Sequence, residues 1–196
     1  MRHEYYYYSR EQLLAAPKLP ITVMADNAAV FQTMAREMAD EIRRKNALGE
    51  KTVFICPVGP VGQYPYFVEM VNSEDISLKN VWFLNMDEYL TDEKEWIGKD
   101  HRLSFRGFMD RTVYTKIRPD LVMPESQRVF PDPKDPENMW RTIQALGGVD
   151  ICFLRTAGSD SLRAGECRGC GGWDEAGAGN RACADYKLCI RRTEAL

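Results

Sequence analysis

No apolar run in the sequence approaches membrane-spanning length, which removes a spanning helix from consideration. The N-terminus, M-R-H-E-Y-Y-Y-Y-S-R, has no apolar h-region and no small-residue cleavage site. It reads as no secretory signal, so a cytoplasmic location is expected, where cysteines stay reduced. An excess of one charge is missing as well. Lys and Arg number 26 against 29 Asp and Glu, a formal net charge of -3. That balance marks neither a nucleic-acid surface nor a polybasic anchor, so neither nucleic acid nor membrane is expected as a partner.

What is present suits a soluble globular chain. Apolar residues make up 44% of 196 residues, enough for one domain with a core of useful size. Residues 5–8 form a tyrosine run, read as an edge strand, an aromatic clasp on a partner or, most simply, packing on the core. Residues 21–24 read as a short strand, after which Asp26 or Asn27 can cap a helix. Phe31, Met34, Ala35, Met38 and Ile42 then follow the helical period on one face, with Arg43, Arg44 and Lys45 near its C-terminal end and Gly49 as the stop. T-V-F-I-C, residues 52–56, is a continuous apolar strand. P-V-G-P-V-G, residues 57–62, is a loop, and a helix begins near Pro65 with Phe67, Val68, Met70 and Val71 on its apolar face. V-W-F-L, residues 81–84, is the next strand. This is a βαβ unit, and continuous apolar strands joined by helices argue for a parallel sheet covered on both faces. Further helices are expected over 102–114 and 137–146, a proline-rich loop over 119–136, and a last buried strand over 149–153. Cys56 and Cys152 fall in apolar runs and read as small buried hydrophobes.

Two stretches lie where an open parallel sheet binds ligands, at the carboxyl ends of its strands. In the first, Gly59 and Gly62 let the backbone turn tightly, and the following helix offers free N–H groups that suit a phosphate; Gly59, Pro60, Val61 and Gly62 are the candidate substrate-binding residues. A plain tight turn explains the same glycines. In the second, N-M-D-E-Y ends the strand with Asp87 and Glu88. A carboxylate on a rigid strand end can serve as a general base, and a second acid beside it can tune or orient it. A helix cap followed by a solvated acid is the plainer explanation.

N-M-D-E-Y after an apolar strand resembles the signature of the glucosamine-6-phosphate deaminase/isomerase family. The segment H-R-L-S-F-R-G-F-M-D-R, from His101 to Arg111, resembles that family's H-x-x-S-(Y/F)-x-x-F-M-x-R block, and Tyr64, Phe67 and Val68 fit the helix behind its phosphate loop. The resemblance implies an α/β fold, a Rossmann-like three-layer sandwich with a mostly parallel sheet. It implies an amino sugar phosphate as the small-molecule partner, homo-oligomerisation as one arrangement, and chemistry that needs no redox cofactor and no metal. Asp87 is then the base that takes the C2 proton of the open-chain amino sugar and returns it at C1. The resulting imine is hydrolysed to fructose 6-phosphate and ammonia. Glu88 supports or orients Asp87, and His101 is a candidate site residue, with a structural role at a helix start as the alternative.

The pattern departs from the family twice. The loop is V-G-P-V-G rather than T-G-G-T-P, so two threonine hydroxyls and one N–H donor are replaced by Val58, Val61 and Pro60. The family's G-G-x-G-x-x-G-H-x-A-F-N-E block, which opens the sugar ring, is absent, and no histidine follows His101. Residues 1–153 therefore read as an incomplete sugar-phosphate isomerase/deaminase domain without ammonia-releasing activity. Residues 154–196 read as an aberrant tail. That span holds five residues from Val, Ile, Leu, Met and Phe, with seven glycines and four cysteines, as out-of-frame translation tends to give. Cys167, Cys170, Cys183 and Cys189 form C-x2-C and C-x5-C pairs that a zinc ion could join, although chance spacing explains them more simply. Rival functions are a phosphosugar hydrolase such as a 6-phosphogluconolactonase, and a non-catalytic fragment that binds a sugar phosphate.

Overall fold

The computed structural model describes residues 7–15, 21–59 and 61–153. Pro60, Tyr5 and Tyr6, and residues 154–196 with their four cysteines and the expectations attached to them, lie outside the described residues.

Five α-helices are described, α1 (Arg10–Ala15), α2 (Asn27–Ala47), α3 (Gln63–Ser73), α4 (Phe105–Met109) and α5 (Asn138–Leu146), with four strands, β1 (Thr52–Cys56), β2 (Val81–Asn85), β3 (Arg128–Val129) and β4 (Ile151–Cys152). The strands form one parallel sheet in the order β3-β2-β1-β4. All five residues of β1 are buried, as a strand covered on both faces requires. Phe54 and Cys56 face α2, α3 and the α4 region, in a cluster with Met38, Ile42, Phe67, Val71, Phe83 and Val113. Val53, Ile55 and Leu84 face the other way, onto Met139 of α5. Helices thus cover both faces, which makes the expected three-layer α/β sandwich.

The capping chemistry sets the long helix. Asp26 is the N-cap of α2 and accepts the Ala29 N–H at 2.8 Å. Ala35, Met38, Ala39 and Ile42 form its buried stripe, and Arg44 and Lys45 stand in its last turn.

Five expectations need correction. Residues 21–24 form no strand; Ile21 and Val23 are exposed, because alternation over so few residues specifies nothing without a sheet edge to pair with. Tyr7 and Tyr8 are exposed rather than packed on the core. The helix expected over 102–114 begins only at Phe105, where Ser104 caps it, and passes into a π-helical turn, Asp110–Tyr114, in which Thr115 N–H donates five residues back to Asp110 O at 3.0 Å. The proline-rich segment holds a 3-10 turn, Glu125–Gln127, and the strand β3, which two paired residues, Arg128 opposite Phe83 and Val129 opposite Leu84, add to the sheet. Cys152 is only half-buried, unlike Cys56.

Candidate functional site

The register places Cys56 of β1 beside Asn85 of β2, and the Met86 N–H donates to Cys56 O at 3.2 Å. The loop after β1 and the N-M-D-E-Y stretch after β2 therefore leave adjacent strands at the same sheet end. This brings together two of the stretches singled out from the sequence, at the position where parallel sheets bind ligands. Asp87 is half-buried there.

Glu88 is buried and fully engaged. Its Oε1 accepts the N–H groups of Tyr89 and Phe105, each at 2.9 Å. Its Oε2 accepts the Ser104 hydroxyl at 3.0 Å, the Arg106 N–H at 2.8 Å and Arg106 Nε at 3.1 Å. Phe105 and Arg106 open α4, so the carboxylate sits on the helix's first free N–H groups, where both hydrogen bonding and the macrodipole favour an anion. Ser104 completes the clasp by accepting the Gly107 N–H at 3.1 Å. The Arg106 guanidinium in turn lies 4.4 Å over the Trp96 ring and donates to Ile97 O at 2.5 Å. Glu88 thus ties the end of β2 to α4 and to the loop before it. A carboxylate with five donors on it holds geometry and is poorly placed to move a proton.

His101 is exposed and belongs to the turn before α4. Its Nδ1 accepts the Leu103 N–H at 3.2 Å, and its carbonyl accepts the Ser104 N–H at 3.0 Å. That is the local, turn-forming arrangement expected of a histidine at a helix start.

The glycine loop is held mainly by packing. Tyr64, on the first turn of α3, is 1% exposed and donates its hydroxyl to Pro57 O at 2.7 Å, which pins the loop from within. Burial drives the Tyr64 phenol well above its ordinary range. Gly62 is the N-cap of α3 in a helical conformation with no side-chain cap. A β-carbon there would run into the Phe31 ring of α2, so the glycine serves helix packing. Val61 is half-buried with its carbonyl accepting the Tyr64 N–H at 3.2 Å, and Gly59 is exposed. No hydroxyl or charged side chain from the described part of this loop faces a phosphate position. Cys56, at the end of β1, is fully buried, and burial pushes its thiol far above the usual range, which removes it as a nucleophile.

Sequence reasoning missed Ser104, Arg106 and Trp96 as partners of the N-M-D-E-Y end. The signal was available: a serine three residues before a glycine, followed at once by Phe-Arg, is a cap, and an acid buried at a strand end needs donors. Among the described residues no group of three or more His, Cys, Asp or Glu could hold a metal ion, and no helix is long and apolar enough to cross a membrane.

No protein-family model matches the chain. A glucosamine-6-phosphate deaminase of Phocaeicola vulgatus is 28% identical over 71% of this chain and 53% of its own length. One from Caenorhabditis elegans is 30% identical over 73% of this chain and 52% of its own. The chain therefore spans about half the length of the curated relatives it matches. Among solved structures, a monomeric glucosamine-6-phosphate deaminase superimposes with a TM-score of 0.58, covering 68% of this chain and 54% of that one at 20% identity, which speaks for the fold. In sequence, and over the matching part in fold, the chain is related to the glucosamine-6-phosphate deaminase family.

Proposed function

We propose that residues 1–153 carry the proton-transfer part of an amino sugar phosphate isomerase/deaminase, with Asp87 as the base. One observation supports this reading: N-M-D-E-Y stands at the carboxyl end of β2, beside the loop that ends β1, with Glu88 clamped by α4 and Asp87 half-buried next to it. Asp87 takes the C2 proton of the open-chain amino sugar and exchanges it with water there; return of a proton at C1, which would give the imine whose hydrolysis yields a ketose phosphate and ammonia, is not assigned to this chain. Glu88 is a positioning residue that fixes the backbone on which Asp87 stands. Gly59, Val61 and Gly62 border the sugar phosphate in this reading, Pro60 lying outside the described residues, and His101 shapes the turn before α4. Without hydroxyls in the loop the phosphate is held weakly.

The same reading assigns no ammonia release to this chain, because the residues that open the sugar ring in the family have no counterpart in its sequence. The small open-chain fraction of substrate is still open to proton abstraction. The test uses glucosamine 6-phosphate deuterated at C2. The chain is expected to wash the label into water faster than buffer does, without ammonia release, and Asp87→Asn is expected to lose the acceleration. Equal exchange in both proteins, or none in either, removes Asp87 as the base. Ammonia release that vanishes in Asp87→Asn keeps the base and overturns the claim of inactivity.

A further inference from the structure

The loop and helix start that border the strand-end site, residues 57–65, contain no Lys, Arg, His, Ser or Thr. The Tyr64 hydroxyl in this stretch is buried and donates to Pro57 O at 2.7 Å. Val58 and Val61 are half-buried, packed against the aromatic core, and Gln63 is buried. The N-cap, Gly62, has no side chain to offer, and the Phe31 ring fills the space beside it. The peptide groups are committed in the same way: the Tyr64 N–H donates to Val61 O at 3.2 Å, and Pro65 has no N–H. Gly59 is exposed, with open space where a β-carbon would stand.

A loop that selects a phosphate dianion does so through several charge-assisted hydrogen bonds, each worth roughly tenfold or more in affinity. A sugar hydroxyl needs one neutral partner, which a peptide group supplies. The dipole of α3 still favours an anion, by roughly threefold at an exposed helix end. We propose that this loop does not select for phosphate, so that the site takes an unphosphorylated 2-amino-2-deoxy aldose about as readily as its 6-phosphate. The proposal rests on the reading of the strand ends as an amino sugar site, and it deepens that reading by naming the substrate class.

The test follows the Gly59 and Gly62 amide resonances of the full chain during titration with D-glucosamine, glucosamine 6-phosphate and inorganic phosphate at matched ionic strength. Wash-out of a C2 deuterium is measured from both sugars alongside. Both sugars are expected to shift the resonances saturably, with dissociation constants within about tenfold of each other, and inorganic phosphate is expected to leave them still. Gly59→Ser adds a hydroxyl in open space and is expected to move the preference toward the 6-phosphate by about tenfold. Binding of the 6-phosphate about a hundredfold tighter than glucosamine, saturable binding of inorganic phosphate, no shift with either sugar, or an unchanged preference in Gly59→Ser overturns the proposal. The wash-out separates this failure from that of the base. A strong preference for the 6-phosphate, with exchange that vanishes in Asp87→Asn, keeps Asp87 and removes the loop inference. Similar binding of the two sugars with exchange of neither removes Asp87 and keeps the loop inference.

Discussion

At the scale of single residues, the two adjacent acids differ in burial: Glu88 is buried and Asp87 half-buried. Glu88 holds five donors, and its side chain is 1% exposed, whereas the Arg106 side chain that pairs with it is 16% exposed. Replacing the carboxylate by an amide puts an NH₂ where an acceptor was needed and leaves Arg106 half-buried without its anion. Breaking such a pair from one side is costly. Glu88→Gln is expected to lower stability by roughly 3 kcal/mol in urea unfolding, and Asp87→Asn, at a half-buried position, by less. Equal losses would mean that Asp87 is as structural as its neighbour. The two acids look alike in the sequence, since nothing local tells which carboxylate turns to a helix seventeen residues away; only the serine cap and the Phe-Arg that follow carried a hint.

At the scale of elements, the end of α2, the start of β1 and the approach to β4 meet at Lys45. Its ammonium lies 3.0 Å from Glu50 and 2.9 Å from Asp150, and the other oxygen of Asp150 accepts the Val53 N–H at 2.8 Å. Burial pulls Lys45 down, but the two carboxylates outweigh it and hold the ammonium above lysine's usual value. A raised folded-state pKa means that this contribution is complete below the unfolded lysine value and is lost as pH rises through the folded one. Stability should therefore fall at strongly alkaline pH by about 1 kcal/mol more in the wild type than in Lys45→Met, measured as the difference in unfolding free energy between neutral and alkaline buffer. Parallel slopes would show that Lys45 contributes no linkage. At this scale the long elements were legible. The period of α2, the unbroken apolar runs of β1 and β2, and the glycine ending α5 are strong, local signals. The two-residue strand β3 and the π turn were not, because each owes its existence to a neighbour: β3 to the free edge of β2, the π turn to the packing of Val113 and Tyr114 under the sheet.

At the scale of the whole molecule, the two faces of the sheet are unequal. One carries α2, α3 and the α4 region over a large aromatic and aliphatic core; the other carries α5 over a small group around Val53, Ile55 and Leu84. Phe83 is fully buried between Phe54, Phe67 and Tyr114, while Ile143 of α5 is only partly buried. Phe83→Ala is expected to cost about 4 kcal/mol and Ile143→Ala about 1 kcal/mol, read from chemical denaturation midpoints at equal slope. Comparable losses would show that the α5 face is as tightly packed as the other. The meeting of the two strand ends follows from this layering: parallel strands end together, so the β1 loop and the N-M-D-E-Y stretch become neighbours without any contact between them being written in either.

The fit of Gly62 against Phe31 binds two distant positions into one evolutionary unit. A hydroxyl-bearing residue at position 62 has nowhere to put its first carbon while a phenyl ring stands on α2. A lineage that acquired a serine there would first have to pass through a smaller residue at position 31. Substitutions at 31 and 62 should therefore be found as pairs across related chains, and a library varying both positions should recover folded members along a diagonal rather than throughout the square.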